Sequence, residues 1–216
     1  PILGVNASII YNDDLIHLAL YARDDVGYKD LVRIVSDINL NEHKAISIKA
    51  LSNYRDHLYI VSHEYEDRLI DQEATNKEDL LTHAQTERPV LGFMKIMKKL
   101  FGASYRVMVV EDGNSGHSLR NKTLIKYAQF LDIPCIWGND VRYLHSHDAL
   151  TLDLLQSSKK GEVLNKDHEP LTSERYLKSE KEIREIFGRY PDIIKNTEEM
   201  IDNCYGSIQK TENGLP

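Results

Sequence analysis

The sequence predicts an α/β fold built on a largely parallel sheet. Short β-rich apolar runs alternate with helical patterns as far as about Leu144, which is the rhythm of βα units. The run IPCIWGND, Ile133 to Asp140, is apolar and then turns abruptly polar. Its length fits a buried parallel strand, and in such sheets functional groups gather beyond the strand's carboxyl end. The bulk composition agrees: 216 residues, 41% hydrophobic and 28% charged, are ordinary globular values and enough chain for a real core.

Taken in order, Leu3 to Tyr11 reads as a strand, Asn12-Asp13-Asp14 as a turn and Leu15 to Tyr21 as a second strand. Asp24 and Asp25 then open a helix whose apolar residues are Val26, Leu31, Ile34, Val35 and Ile38. AISIKALSNYRDH is a short extended piece or turn, and LYIVS a strand. Residues 65–86 are polar, with helical stretches at best. GFMKIMKKLFG is an amphipathic helix, YRVMVVEDG a strand with an acidic end, HSLRNKTLIKYAQFLD a helix and IPCIWGND the next strand. Beyond Asp148 the pattern becomes helical: DALTLDLLQSSKKGEVL ends near Gly161, Ser179 and Glu182 form a capping box, and Pro191 opens a last helix.

A net charge of -7 and a pI near 5.7 argue against a broad nucleic-acid-coating surface. Two widely separated cysteines, Cys135 and Cys204, fit a reducing cytoplasm without a disulfide framework. Cys135 belongs to the apolar run and reads as core. No segment is apolar enough to span a membrane, and no signal peptide is visible. Both ends look cut, so the chain reads as part of a longer protein. On that reading the strand from Leu3 to Ile10 lacks a neighbour on one side and invites association.

Several residues could carry chemistry. Asp140 and Arg142 would lie side by side if their strand continued. Asp140 is then either a metal ligand or general base oriented by Asn139, or one half of a salt bridge. His17 sits centrally in LIHLALY, where a buried ring would need partners for both nitrogens. Glu111-Asp112 is an acidic strand end of the kind that holds metals, or a turn opening on Asp-Gly. His145 and His147 could share a strand face and bind zinc, or lie in a loop with Asp148 capping the next helix. GNSGHS lacks the form of a phosphate-cradling loop.

Four stretches resemble one family in its own order. PILGVNASI and LIHLALYARDDVGYKDLVRIVS resemble consecutive strand and helix segments of PHP (polymerase and histidinol phosphatase) domains. AQFLDIPCIWGNDVRYLHSHDALTLDLL resembles that family's penultimate motif. RYLKSEKEIREIFGRYPDIIKNTEEMIDNC resembles the connector found in the alpha subunit of bacterial DNA polymerase III and its error-prone relatives. The resemblance implies a distorted seven-stranded PHP-type βα barrel, lacking its first strands here, over residues 1–148. A helical connector toward the polymerase palm would occupy 149–216.

It also implies ligand positions. His17 matches a ligand histidine and Asp140 a ligand aspartate, while Asn6 and Arg142 stand where the family has a carboxylate and a histidine. Arg142 is cationic and cannot ligate a metal. A histidine that often follows the acidic strand end would fall near Gly113. The implied picture is a degenerate metal site with vestigial positions His17 and Asp140, no catalytic residue and no cofactor in this segment. The parent would be a magnesium-dependent, cytoplasmic DNA polymerase meeting DNA, deoxynucleotides, a sliding clamp and a proofreading exonuclease subunit. The alternative is a metal-dependent 3'-5' exonuclease or phosphoesterase completed by upstream residues.

Overall fold

A computed structural model describes residues 2–62, 64–75, 88–111, 115–163 and 173–208. Strand β1 (Gly4–Tyr11) turns directly into β2 (Asp14–Ala22). Asn12 and Asp13 take φ of 47° and 66°, the left-handed pair that a two-residue hairpin requires and that Asn and Asp tolerate best. The register runs from Tyr11 opposite Asp14 to Gly4 opposite Tyr21.

Helix α1 (Asp25–Leu40) follows, with Asp24 as N-cap accepting from Gly27 N–H at 2.8 Å. The other Asp24 oxygen meets His57 Nδ1 at 2.8 Å. A Cβ on Gly27 would lie 2.1 Å from the His57 carbonyl oxygen, so this close approach requires glycine. The short strand β3 (Ile46–Ser47) leads into a single helical turn, α2 (Ile48–Leu51), and a 3-10 turn. The extended piece expected there is thus two residues long and ends in helical turns.

The remaining elements are β4 (Leu58–Ser62), α3 (Glu64–Thr75), α4 (Pro89–Phe101), β5 (Tyr105–Val110), α5 (Ser115–Phe130), β6 (Cys135–Gly138), α6 (Ala149–Lys160), α7 (Glu180–Ile186) and α8 (Pro191–Asp202). Gly161, at φ 73°, ends α6. The Ser179–Glu182 capping box opens α7 as its spacing predicts, with Ser179 N–H donating to Glu182 Oε2 at 2.8 Å.

The strands form one six-stranded sheet in the order β3-β1-β2-β4-β5-β6. β2 is antiparallel to both its neighbours, and the other pairings are parallel, so β2 alone runs against the rest. The expected α/β class with a largely parallel sheet holds. The described strands form one six-stranded sheet, and no seven-stranded barrel is shown among them. β1 departs from expectation only near its end, where β3 returns after α1 to pair with Ile9 and Ile10; among the described residues no strand pairs with Gly4 to Ser8 on that side. The edge on that side therefore belongs partly to a two-residue strand, a length that limits edge pairing.

At the other edge, α8 stands in for a strand. Thr197 Oγ1 accepts the Trp137 N–H and Asn196 Nδ2 donates to the Cys135 carbonyl, both at 3.0 Å. Side chains thereby satisfy backbone groups that an edge strand leaves open.

The core lies on one sheet face. Ile9, Leu18, Leu20, Ile60, Val107 and Val109 pack there against Ile34 of α1, Met94 and Met97 of α4 and Leu124 of α5. Tyr11, Tyr65 and Phe93 meet edge to face, with centroids 4.7–5.8 Å apart. Ile183, Phe187 and Ile193 of α7 and α8 join the same cluster. The last described segment also returns to α1: Tyr205 N–H donates to the Arg23 carbonyl at 3.0 Å and Ser207 N–H to Asp25 Oδ1 at 2.8 Å.

One carboxyl group is sealed inside. Glu66, 0% exposed, accepts from Ser62 Oγ and from Tyr105 Oη, the latter at 2.9 Å. Its Oε2 has no hydrogen-bond partner among the described residues. Burial, opposed only in part by these hydrogen bonds, raises its pKa to about 7. Below about pH 4.5, the ordinary value, folded and unfolded chains both hold the proton and nothing is lost. Between that value and about 7 the unfolded chain releases it first, so stability falls as pH rises and then levels off, by about 3 kcal/mol in all. Glu66→Gln is expected to abolish this slope. Urea midpoints of the two proteins should coincide near pH 4.5 and separate by pH 8 in favour of the variant. Parallel midpoint curves across that range would refute the assignment.

Candidate functional site

The sheet's second face is only partly covered. Tyr59, Val61 and Ile136 cluster there with Met200 of α8, flanked by Ala19, Tyr21 and Met108. Beyond them opens a cleft of about 800 Å³, floored by this apolar face. The polar groups on its lining include Asn6, His17, Glu64, Asn139, Asp140, Arg142 and Arg175. It extends over the carboxyl ends of β5 and β6, since Val110 and Gly138 line it and Asn139 to Arg142 follow directly. The tertiary structure thus brings together His17, Asp140 and Arg142, and sets Asn6 beside them on one cleft.

Their settings differ from the simplest reading of the sequence. His17 is exposed, because alternation along β2 sends Ile16, Leu18 and Leu20 to the core and His17, Ala19 and Tyr21 to the cleft face. It therefore needs no buried partner; its Nδ1 lies 3.4 Å from Ser8 Oγ. β6 ends at Gly138, so Asp140 and Arg142 are not strand neighbours. They still pair: Arg142 Nε lies 2.7 Å from Asp140 Oδ1. Arg175 Nη1 approaches Asp140 Oδ2 at 3.6 Å from a distant part of the chain. Asn139 does not orient Asp140; its Nδ2 donates to the Tyr176 carbonyl at 2.7 Å.

Arg175 was not foreseen as a site residue. It lies in RYLKSEKE, far from any strand end, and nothing in its spacing links it to Asp140. Asp112 and Gly113 fall outside the described residues, while Glu111 is half-buried, 3.5 Å from Asn121 Nδ2.

The His145–His147 pair lies in a turn, not a strand. Its rings stack at 5.2 Å and 14°, and His147 Nε2 is 3.5 Å from Asp148 Oδ1. Asp148 does not cap α6 as expected. Its carboxylate turns back to accept the His145 N–H at 3.0 Å and closes the 3-10 turn before that helix. Cys135 is core: burial, with Glu66 nearby adding to it, pushes its thiol up to about 12, which removes the thiolate a nucleophile needs.

The described side chains do not assemble a metal site. Among the described residues no cluster of three or more His, Cys, Asp or Glu side chains could hold an ion. The Asp140 carboxylate is paired with the guanidinium groups of Arg142 and Arg175. No helix of the described residues is long and apolar enough to cross a membrane.

No protein-family model matches the chain. It is similar to DNA polymerase III subunit alpha of Borreliella burgdorferi, 26% identical over 222 residues, which covers 94% of this chain and 18% of that protein. The corresponding subunit of Campylobacter jejuni is 25% identical over 226 residues, with 94% and 18% covered. That of Bacillus subtilis is 23% identical over 223 residues, with 100% and 19% covered. The chain is thus similar over nearly its whole length to one segment of this subunit, and spans less than a fifth of the curated relatives it matches.

The exposure of the arginine–aspartate group sets its energetic worth. The side chains of Asp140, Arg142 and Arg175 are 37%, 56% and 36% exposed, so water screens them. A buried pair broken on one side would cost about 3–5 kcal/mol; here Asp140→Asn is expected to cost less than about 1 kcal/mol. A urea midpoint shift corresponding to several kcal/mol would show that the carboxylate is more deeply engaged than its exposure indicates.

Proposed function

We propose, from the kinship to the DNA polymerase III alpha subunit, that this chain is the PHP-domain and connector segment of such a subunit and serves it as scaffold. Residues 1–148 form the domain and residues 149–216 lead toward the polymerase palm. The cleft face of the sheet corresponds to the interior of a PHP-type barrel, and His17 and Asp140 are vestigial ligand positions. The whole protein carries out template-directed DNA synthesis with magnesium in the cytoplasm. It meets DNA and deoxynucleotides through its other domains, and a sliding clamp and a proofreading exonuclease subunit as partners.

The observation that carries the scaffold reading is Arg142 Nε at 2.7 Å from Asp140 Oδ1. The guanidinium supplies the positive charge that a metal would supply to that carboxylate, and it cannot be deprotonated to make way for one. With Asn6 and Arg142 where the family has a carboxylate and a histidine, two of its ligand positions here offer neither an anionic oxygen nor an imidazole.

The purified, dialysed chain is expected to hold no stoichiometric zinc or manganese, and to leave labelled single-stranded DNA intact at its 3' end. The double variant Asn6→Glu, Arg142→His, which restores an anionic oxygen and an imidazole, is expected to gain manganese affinity by isothermal titration. One tightly bound ion per wild-type chain, with metal-dependent DNA shortening abolished by Asp140→Asn, would replace the scaffold by the exonuclease reading.

A further inference from the structure

Two polar segments meet at the rim of the cleft. Arg142 N–H donates to the Arg175 carbonyl at 2.8 Å, and Leu177 N–H to the Tyr143 carbonyl at 3.2 Å. Tyr143 and Tyr176 form an isolated parallel β-bridge. Arg175 N–H donates to Tyr143 Oη at 3.2 Å, and Asn139 Nδ2 to the Tyr176 carbonyl at 2.7 Å. Asp140 draws the side chain of Arg175 to the same place, at 3.6 Å.

This attachment differs in kind from the one that follows. Downstream, Ile183, Phe187 and Ile193 are 5%, 5% and 3% exposed and sit in the main core. At the rim the apolar side chains stay in water: Val141, Leu144 and Leu177 are 44%, 59% and 59% exposed. The rim's hydrogen bonds are part-buried, but its exposed apolar side chains leave little apolar burial to lose, which marks a part of the fold that opens at low cost. Its ion pair is screened by salt, whereas the hydrophobic anchorage of α7 and α8 is not.

We propose that residues 173–177 are a strap across the cleft rim, fastened by Asp140 through Arg175 and by the bridge to Tyr143, that opens without unfolding the core. Opening withdraws Arg175 from the lining of the cleft, while α7 and α8 stay docked. The proposal rests on the scaffold reading in one respect only, that Asp140 is held by arginine and not by metal.

Residue-resolved hydrogen exchange on the whole chain, in chelating buffer, tests this. The Arg142 and Leu177 amides report the strap; the Val107 and Trp137 amides, bonded to the Pro134 carbonyl and to Thr197, report the fold. Asp140→Asn, and independently Arg175→Gln, should speed exchange at Arg142 and Leu177 about two- to fivefold and leave Val107 and Trp137 unchanged. Raising NaCl from about 0.05 to about 0.5 M should have the same effect on the wild type and little on either variant. Unaltered exchange at Arg142 and Leu177 in both variants, or acceleration shared with Val107 and Trp137, overturns the strap. The metal question reads out separately. If manganese speeds exchange at these two amides in the wild type but not in Asp140→Asn, it competes with Arg175 for the carboxylate, which supports the strap and overturns the metal-free reading.

Discussion

The register of β2 is the constraint on which the rest depends. β1 and β3 reach β4, β5 and β6 only through it. A slip of one residue would exchange its faces, sending Ile16, Leu18, Leu20 and Ala22 into the cleft and His17 and Tyr21 into the core. The tight Asn12-Asp13 turn fixes that register from one side. On the other, Ala22 opposite Leu58 joins the hairpin to the parallel part of the sheet. Because β2 is the only reversed strand, the hairpin also sets the sheet's direction: β1 runs with β4, β5 and β6, and their carboxyl ends collect on one side.

Burial separates the two most informative carboxylates. Glu66 has neutral hydrogen-bond donors and no countercharge in contact, so desolvation governs it and its proton becomes part of the fold's energetics. Asp140 has two arginines and ready access to water, so it contributes little to stability. Its influence is local: it decides what can occupy the rim of the cleft. The residue that looks functional in sequence is therefore energetically minor, and the one that matters to stability lies in a helix whose sequence gives no sign of it.

The two edges of the sheet are managed differently. β3 is too short to template a partner strand over any length. β6 is longer and is covered by α8, whose Asn196 and Thr197 take up its backbone groups while Ile193 enters the core. The helical tail is thus a working part of the sheet's closure. The rim segment before α7, where Leu177 is 59% exposed, has no comparable apolar burial.

The sequence by itself determined the α/β class, the Asn-Asp hairpin, the Asp24 and Ser179 caps, the Gly161 stop and most element boundaries, because each rests on local chemistry: side-chain period, backbone preference and capping geometry. It also singled out His17, Asp140 and Arg142. What it could not decide was which face of β2 His17 occupies, that Asp148 turns back on His145, or that β3 returns to flank β1. The partnership of Arg175 with Asp140 and the burial of Glu66 were equally out of reach. Those outcomes depend on which distant segments come together, and a pairing between residues far apart in the chain leaves no trace in the spacing of either. Only the tertiary structure, by pairing the strands and docking the tail, fixes the neighbours that set each group's charge, exposure and role.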